Sequence, residues 1–132
     1  MNLKKLCDNE IYSNKDIPIN IAKDILNFAE SGFKENKTSK KVTNLFKSLG
    51  QKKIETEIAL TGLKTTLDTG KEGPNIAVIG ELDGLSVPGH PFENIENGYA
   101  HACGHHAQIG SIFTVFMGLS NKDILKNLCG KI

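Results

Sequence analysis

The sequence has no tryptophan and no arginine; all sixteen basic residues are lysine. The planar guanidinium fork that grips phosphate and guanine is therefore missing. A net charge of +1 supplies no field for a polyanion or an anionic bilayer. No nucleic-acid and no membrane partner is expected. Cysteine is scarce as well: Cys7, Cys103 and Cys129 are odd in number and far apart. That is not a disulfide framework, and it points to a reducing, cytoplasmic compartment. Long apolar runs are absent too. The longest, residues 109–119, is interrupted by Gly110, Ser111, Thr114 and Gly118 and is too short to span a bilayer. The opening MNLKKLCDNE lacks the apolar stretch of a secretory signal. At 132 residues and 39% hydrophobic content, the chain amounts to one ordinary domain at most.

What is present reads first as helix. Asp16 and Pro18 resemble a capping carboxylate and a first-turn proline. Ile21, Ala22, Ile25, Leu26, Phe28 and Ala29 then form one apolar stripe, which Ser31-Gly32 ends. A second helix is expected from about Thr38 or Ser39 to Leu49, with Gly50 as its left-handed cap. The period then changes to two. Ile54, Ile58 and Leu60 suggest a half-buried strand, Thr61-Gly62 a turn, and Leu63, Thr65 and Leu67 a second strand. Residues 75–80 (NIAVIG) are apolar on both faces, as a central parallel strand covered by helices would be. Ala107 to Leu119 reads as a buried helix against that sheet, and Asn121 as the cap of a short helix carrying Ile124, Leu125 and Leu128. The expected fold is three-layer α/β. Cys129 to Ile132 looks like the opening of a further strand, which suggests the front part of a larger unit.

Chemistry concentrates in two places. Glu81 and Asp83 follow the apolar strand, at the end where open α/β sheets bind ligands. Two acids capping the next loop is the plainer account. Residues 99–110 (YAHACGHHAQIG) hold three of the four histidines and one cysteine. In extended backbone His101, Cys103 and His105 share a side, Gly104 permits a bend, and His106 begins a helix. Imidazole and thiolate together suit zinc and similar ions, and two or three ligands with room for more describe an open site. A free buried cysteine among surface histidines is the alternative. A parallel sheet would bring both clusters to one edge, where they could hold one or two divalent ions.

These residues resemble the N-terminal part of the zinc-dependent aminoacylase and amidohydrolase metallopeptidases, of the hippurate hydrolase, auxin-conjugate hydrolase and p-aminobenzoyl-glutamate hydrolase type. Glu30-Ser-Gly-Phe-Lys-Glu-Asn-Lys-Thr38 is similar to the family's "PE-x-G-x-x-E-x-x-T" segment, Gly80-Glu-Leu-Asp-Gly-Leu85 to its acidic strand end, and Ala100-His-Ala-Cys-Gly-His-His-Ala107 to its "HACGHD" signature. The resemblance implies a zinc-peptidase-like catalytic domain with a mostly parallel central sheet, residues 1–132 being its N-terminal part and lacking the dimerisation (lid) domain and C-terminal half. It implies Cys103 and His105 as ligands of one or two divalent ions (Zn, Mn or Co), Asp83 as the catalytic acid that orients a ligand, and Glu81, His101 and His106 as auxiliary. Three positions depart from the pattern: Ala29 for the proline of "PE", His106 for Asp or Asn, and Gln108 for a frequent His.

The implied activity is cleavage of the amide bond of an N-acyl or N-aroyl amino acid, or of a small peptide, by metal-activated water, in a full-length protein that is a homodimer. The general-base glutamate of the family has no counterpart here, so this chain is expected to be inactive alone. The alternative is a non-catalytic truncated remnant or a metal-binding fragment.

Overall fold

The computed structural model describes residues 2–132. Five helices and two short hairpin-like sheets follow in the order α1 (Leu3–Ser13), α2 (Asp16–Leu26), α3 (Asn36–Ser48), β1 (Ile54–Ile58), β2 (Gly62–Thr65), β3 (Leu85–Ser86), β4 (Tyr99–Ala100), α4 (His105–Leu119) and α5 (Lys122–Leu125). Among the described residues no helix is long and apolar enough to cross a membrane.

The core is helical. Ile21 and Ile25 of α2, Val42 and Phe46 of α3, and Ile109, Phe113, Phe116 and Met117 of α4 are buried together. The Phe46 ring lies 4.4 Å from that of Phe113 and 5.4 Å, edge-on, from that of Phe116. α4 is apolar nearly all round because α1, α2 and α3 surround it. Its glycines set the crossings. A Cβ on Gly110 would stand 3.1 Å from the Pro18 carbonyl oxygen, and one on Gly118 would stand 2.8 Å from Cys7 Sγ.

Local chemistry sets most boundaries. α2 begins at Asp16, which sits inside the first turn rather than capping it, and closes at Leu26 through i→i+3 bonds from Asn27 and Phe28. This is earlier than Ser31-Gly32. α3 begins at Asn36, and Gly50 after it is left-handed (φ 91°) as expected. Asn121 caps α5 by accepting from the Asp123 N–H at 2.7 Å. α1 was not anticipated. Leu3, Leu6, Cys7 and Ile11 form a narrow, half-buried stripe on an otherwise polar helix.

The strands depart from expectation. β1 and β2 pair antiparallel, but a bulge at Glu57 (φ 62°) breaks the alternation, and the chain reverses at Ala59 and Leu60, both at positive φ. Ile58 and Leu60 consequently face solvent. Among the described residues the mostly parallel central sheet is not formed: the fold is mixed α/β, and both sheets are two-stranded and antiparallel. Residues 75–80 run extended, with Ile76 58%, Val78 44% and Ile79 83% exposed. The physical reason is pairing. A strand is stabilised by neighbours, and here pairing stops after the first residues. The Ile76 N–H donates to the Lys131 carbonyl, while the Lys131 N–H donates to the Pro74 carbonyl. Lys131 and Ile132 also bridge antiparallel to Leu67 and Asp68. The parallel relation thus survives as a single bridge, Asn75 to Lys131.

Candidate metal and carboxylate site

Glu81 and Asp83 leave the extended segment directly over the start of α4. Gly80 makes this approach possible, since a Cβ there would stand 2.8 Å from Ile112 Cδ1 on that helix. Asp83 is followed by Gly84, whose N–H donates to the Glu30 carbonyl at 2.7 Å. A Cβ on Gly84 would meet Ala29 Cβ at 2.7 Å and the Ala100 oxygen at 3.0 Å. β3 then pairs with β4, Leu85 opposite Ala100, so the long loop between them returns the chain to His101. Gly104 (φ 84°) makes the bend that starts α4.

His105, first residue of α4, is held from both sides. Its Nε2 lies 2.9 Å from Glu81 Oε2, and its Nδ1 lies 3.0 Å from Asp83 Oδ1 and 2.8 Å from the Asp83 carbonyl oxygen. Gln108, one turn on, fixes Glu81: its Oε1 accepts from the Glu81 N–H at 3.0 Å, and its Nε2 donates to Glu81 Oε2 at 3.4 Å. Gln108 drew notice in the sequence only as a departure from a motif. A polar residue at i+3 from a histidine, on one helix face, is the signal that would have found it.

The other two histidines of the cluster are not gripped. His101 is only 4% exposed, and neither of its ring nitrogens has a hydrogen-bond partner; His106 Nδ1 is buried and unpartnered as well. Leaving such a group unmade costs about 1–3 kcal/mol. Burial, with the nearby His106 and His105 charges, pushes His101 down to about 4, although the carboxylate and the backbone of Asp83 both act the other way. Burial and then the His105 charge also lower His106.

Cys103 is exposed. Among the described residues no three His, Cys, Asp or Glu side chains are gathered as a metal centre. The donor chemistry suits a divalent ion in one respect. His105 Nε2 and Glu81 Oε2 already converge, and Asp83 on the opposite nitrogen is the kind of carboxylate partner that orients a ligating imidazole. Cys103 does not complete the set. A cleft of about 380 Å³ beside Glu81 and Asp83 is lined also by Phe33, Glu35, Thr61 and Ile112, and by none of the histidines.

The segment 30–38 turns out to brace this site. Glu30 accepts from the Lys37 and Thr38 N–H groups at 3.1 and 2.8 Å and from Thr38 Oγ1 at 2.8 Å, capping α3 from outside, while its own carbonyl holds Gly84. Glu35 is buried and accepts from Thr61 Oγ1 at 2.6 Å.

The chain, in which the acids of a helix-backed segment clamp a histidine at the next helix start, shares partial homology with amidohydrolases. The N-acetyldiaminopimelate deacetylase of Bacillus pumilus is 35% identical over 95 residues, 70% of this chain and 25% of that protein. Thermostable carboxypeptidase 1 of Saccharolobus solfataricus is 27% identical over 130 residues, 95% of this chain and 33% of its own. The crystal structure of a protein designated an aminohydrolase, from methicillin resistant Staphylococcus aureus, superposes with a TM-score of 0.83 at 27% identity, covering 99% of this chain and 33% of that one. No family model matches. The chain spans about a quarter to a third of the length of these relatives.

Proposed function

We propose that residues 1–132 carry one side of an amidohydrolase site that acts on N-acyl amino acids, with N-acetylated diamino acids favoured by the deacetylase relatives. Cys103 and His105 would hold one or two divalent ions (Zn, Mn or Co), Asp83 would orient His105, and Glu81 would share the position facing Nε2. The double-sided grip on His105 carries this reading: Asp83 on Nδ1 fixes the ring so that Nε2 presents toward Glu81. Bound there, a divalent ion would acidify water and polarise the amide carbonyl. The chain's own part is to position and to exclude alternatives. Gln108 keeps Glu81 in place, and the Gly84–Glu30 bond keeps Asp83 over α4.

The test is cobalt titration of the chain. A thiolate-to-cobalt charge-transfer band, lost in Cys103→Ala and weakened in His105→Ala, is the expected result; no band in the unsubstituted chain overturns the ligand assignment. Hydrolysis of N-acetyl amino acids by the chain alone is expected to be absent, since general acid–base catalysis contributes ~10²–10⁴-fold and no base is assigned among these residues. Metal-dependent turnover that His105→Ala abolishes would reveal such a base. The second reading, a non-catalytic metal-binding fragment or remnant, is favoured by one observation: three donors are not gathered among the described residues.

A further inference from the structure

His101 and His106 face one another beside, and not within, the carboxylate grip on His105. Their ring centroids are 5.7 Å apart and the planes are inclined by 54°. Both ring nitrogens of His101 and Nδ1 of His106 are buried without a partner. Buried polar groups in folded proteins are nearly always satisfied, so three orphaned nitrogens on two facing rings imply an absent partner. Its chemistry can be argued from the spacing. Two imidazoles on one zinc-sized ion, each nitrogen about 2.0–2.1 Å from the metal, carry ring centroids roughly 5–6 Å apart at the angles a four-coordinate ion adopts.

We propose that His101 and His106 form a two-imidazole clasp for a single divalent transition-metal ion of the zinc, cobalt or nickel kind, at a position separate from the Cys103 and His105 pair. The local charge favours a cation: the Asp83 carboxylate acts on His101, and Glu81 lies beside Asp83 on His105. The positive end of α4 works against it, and two acids outweigh the half-charge of one helix terminus. This site goes beyond the amidohydrolase reading and does not depend on it.

The test uses nickel or cobalt alone with the 132-residue chain in which Cys103→Ala and His105→Ala remove the other ligands. The expected result is one bound equivalent by calorimetry, with paramagnetic broadening of the His101 and His106 ring protons. His106→Asn, added to that background, should weaken binding at least ~10–100-fold, the loss that removal of mere supporting groups already causes. Because His101 is buried and its replacement can cost folding, His106→Asn with unchanged circular dichroism is the deciding variant. Absence of binding in the background protein, or binding untouched by His106→Asn, overturns the clasp. Sharp ring signals in contact with slowly exchanging water also overturn it, and identify a hydrated pocket instead. The two sites fail separately, since the thiolate-to-cobalt band reports Cys103 and ring broadening reports this pair.

Discussion

Single residues at this site act by fitting where nothing larger fits. Gly84 lies between Ala29 and the Ala100 carbonyl, and both of those neighbours are buried. Gly84→Ala forces backbone to move and should destabilise the fold by about 1–3 kcal/mol; urea denaturation would measure it, and an unchanged midpoint would contradict the close approach. His101 makes a second prediction at this scale. Its folded-state pKa of about 4 lies below the unfolded value of 6.5. Between those values the unfolded chain binds a proton that the folded chain refuses. Stability is therefore full above about pH 6.5 and falls as pH drops toward 4, and His106 adds to the loss in the same sense. For the metal-free chain, the fall from pH 7 to pH 5 should amount to about 2 kcal/mol in denaturation midpoints. A flat profile over that range would show that the rings find partners in solution.

At the scale of elements, α3 depends on a residue outside itself. Its own N-cap position, Glu35, makes no side-chain cap; Glu30 supplies the acceptors instead. Glu30→Ala should cost about 1–2 kcal/mol, as loss of a helix cap does, while Glu30→Gln should recover part of it, since an amide oxygen still accepts. Equal losses in both variants would place the effect on charge and not on capping. The helices were legible because their signals are local: the stripe of Ile21 and Ile25, Gly50 as terminator, Asn121 as cap. α1 was not, because Leu3, Leu6, Cys7 and Ile11 bury only halfway and their stripe is thin. The β1–β2 turn was misplaced by two residues, because the positive φ of Ala59 and Leu60 contradicts what their side chains prefer.

For the whole molecule, the exposed segment 75–80 is the dominant surface feature. Ile76, Val78 and Ile79 project into solvent from backbone that is unpaired beyond Ile76. Such an edge is a template for association. The chain is expected to self-associate with concentration in sedimentation velocity, and Ile79→Lys to suppress this while leaving the unfolding free energy, measured by urea denaturation, within about 0.5 kcal/mol, as surface changes do. A monomer at all concentrations would show the segment to be covered in solution.

The sequence alone determined much of the inventory: the helices after α1, where imidazole, thiolate and carboxylate side chains cluster along the chain, and the relation to amidohydrolases. These depend on composition, period and motif, all of which are short-range. Tertiary structure decided what the residues do to one another. It placed Glu81 and Asp83 on opposite nitrogens of His105, turned Gln108 into the support of Glu81, buried His101 with the half-buried His106 ring beside it, and left Cys103 exposed. It also left the apolar strand unpaired. Hydrogen bonds between residues 22 to 27 positions apart, and strand neighbours 56 apart, depend on how distant segments meet, and no local pattern encodes that meeting.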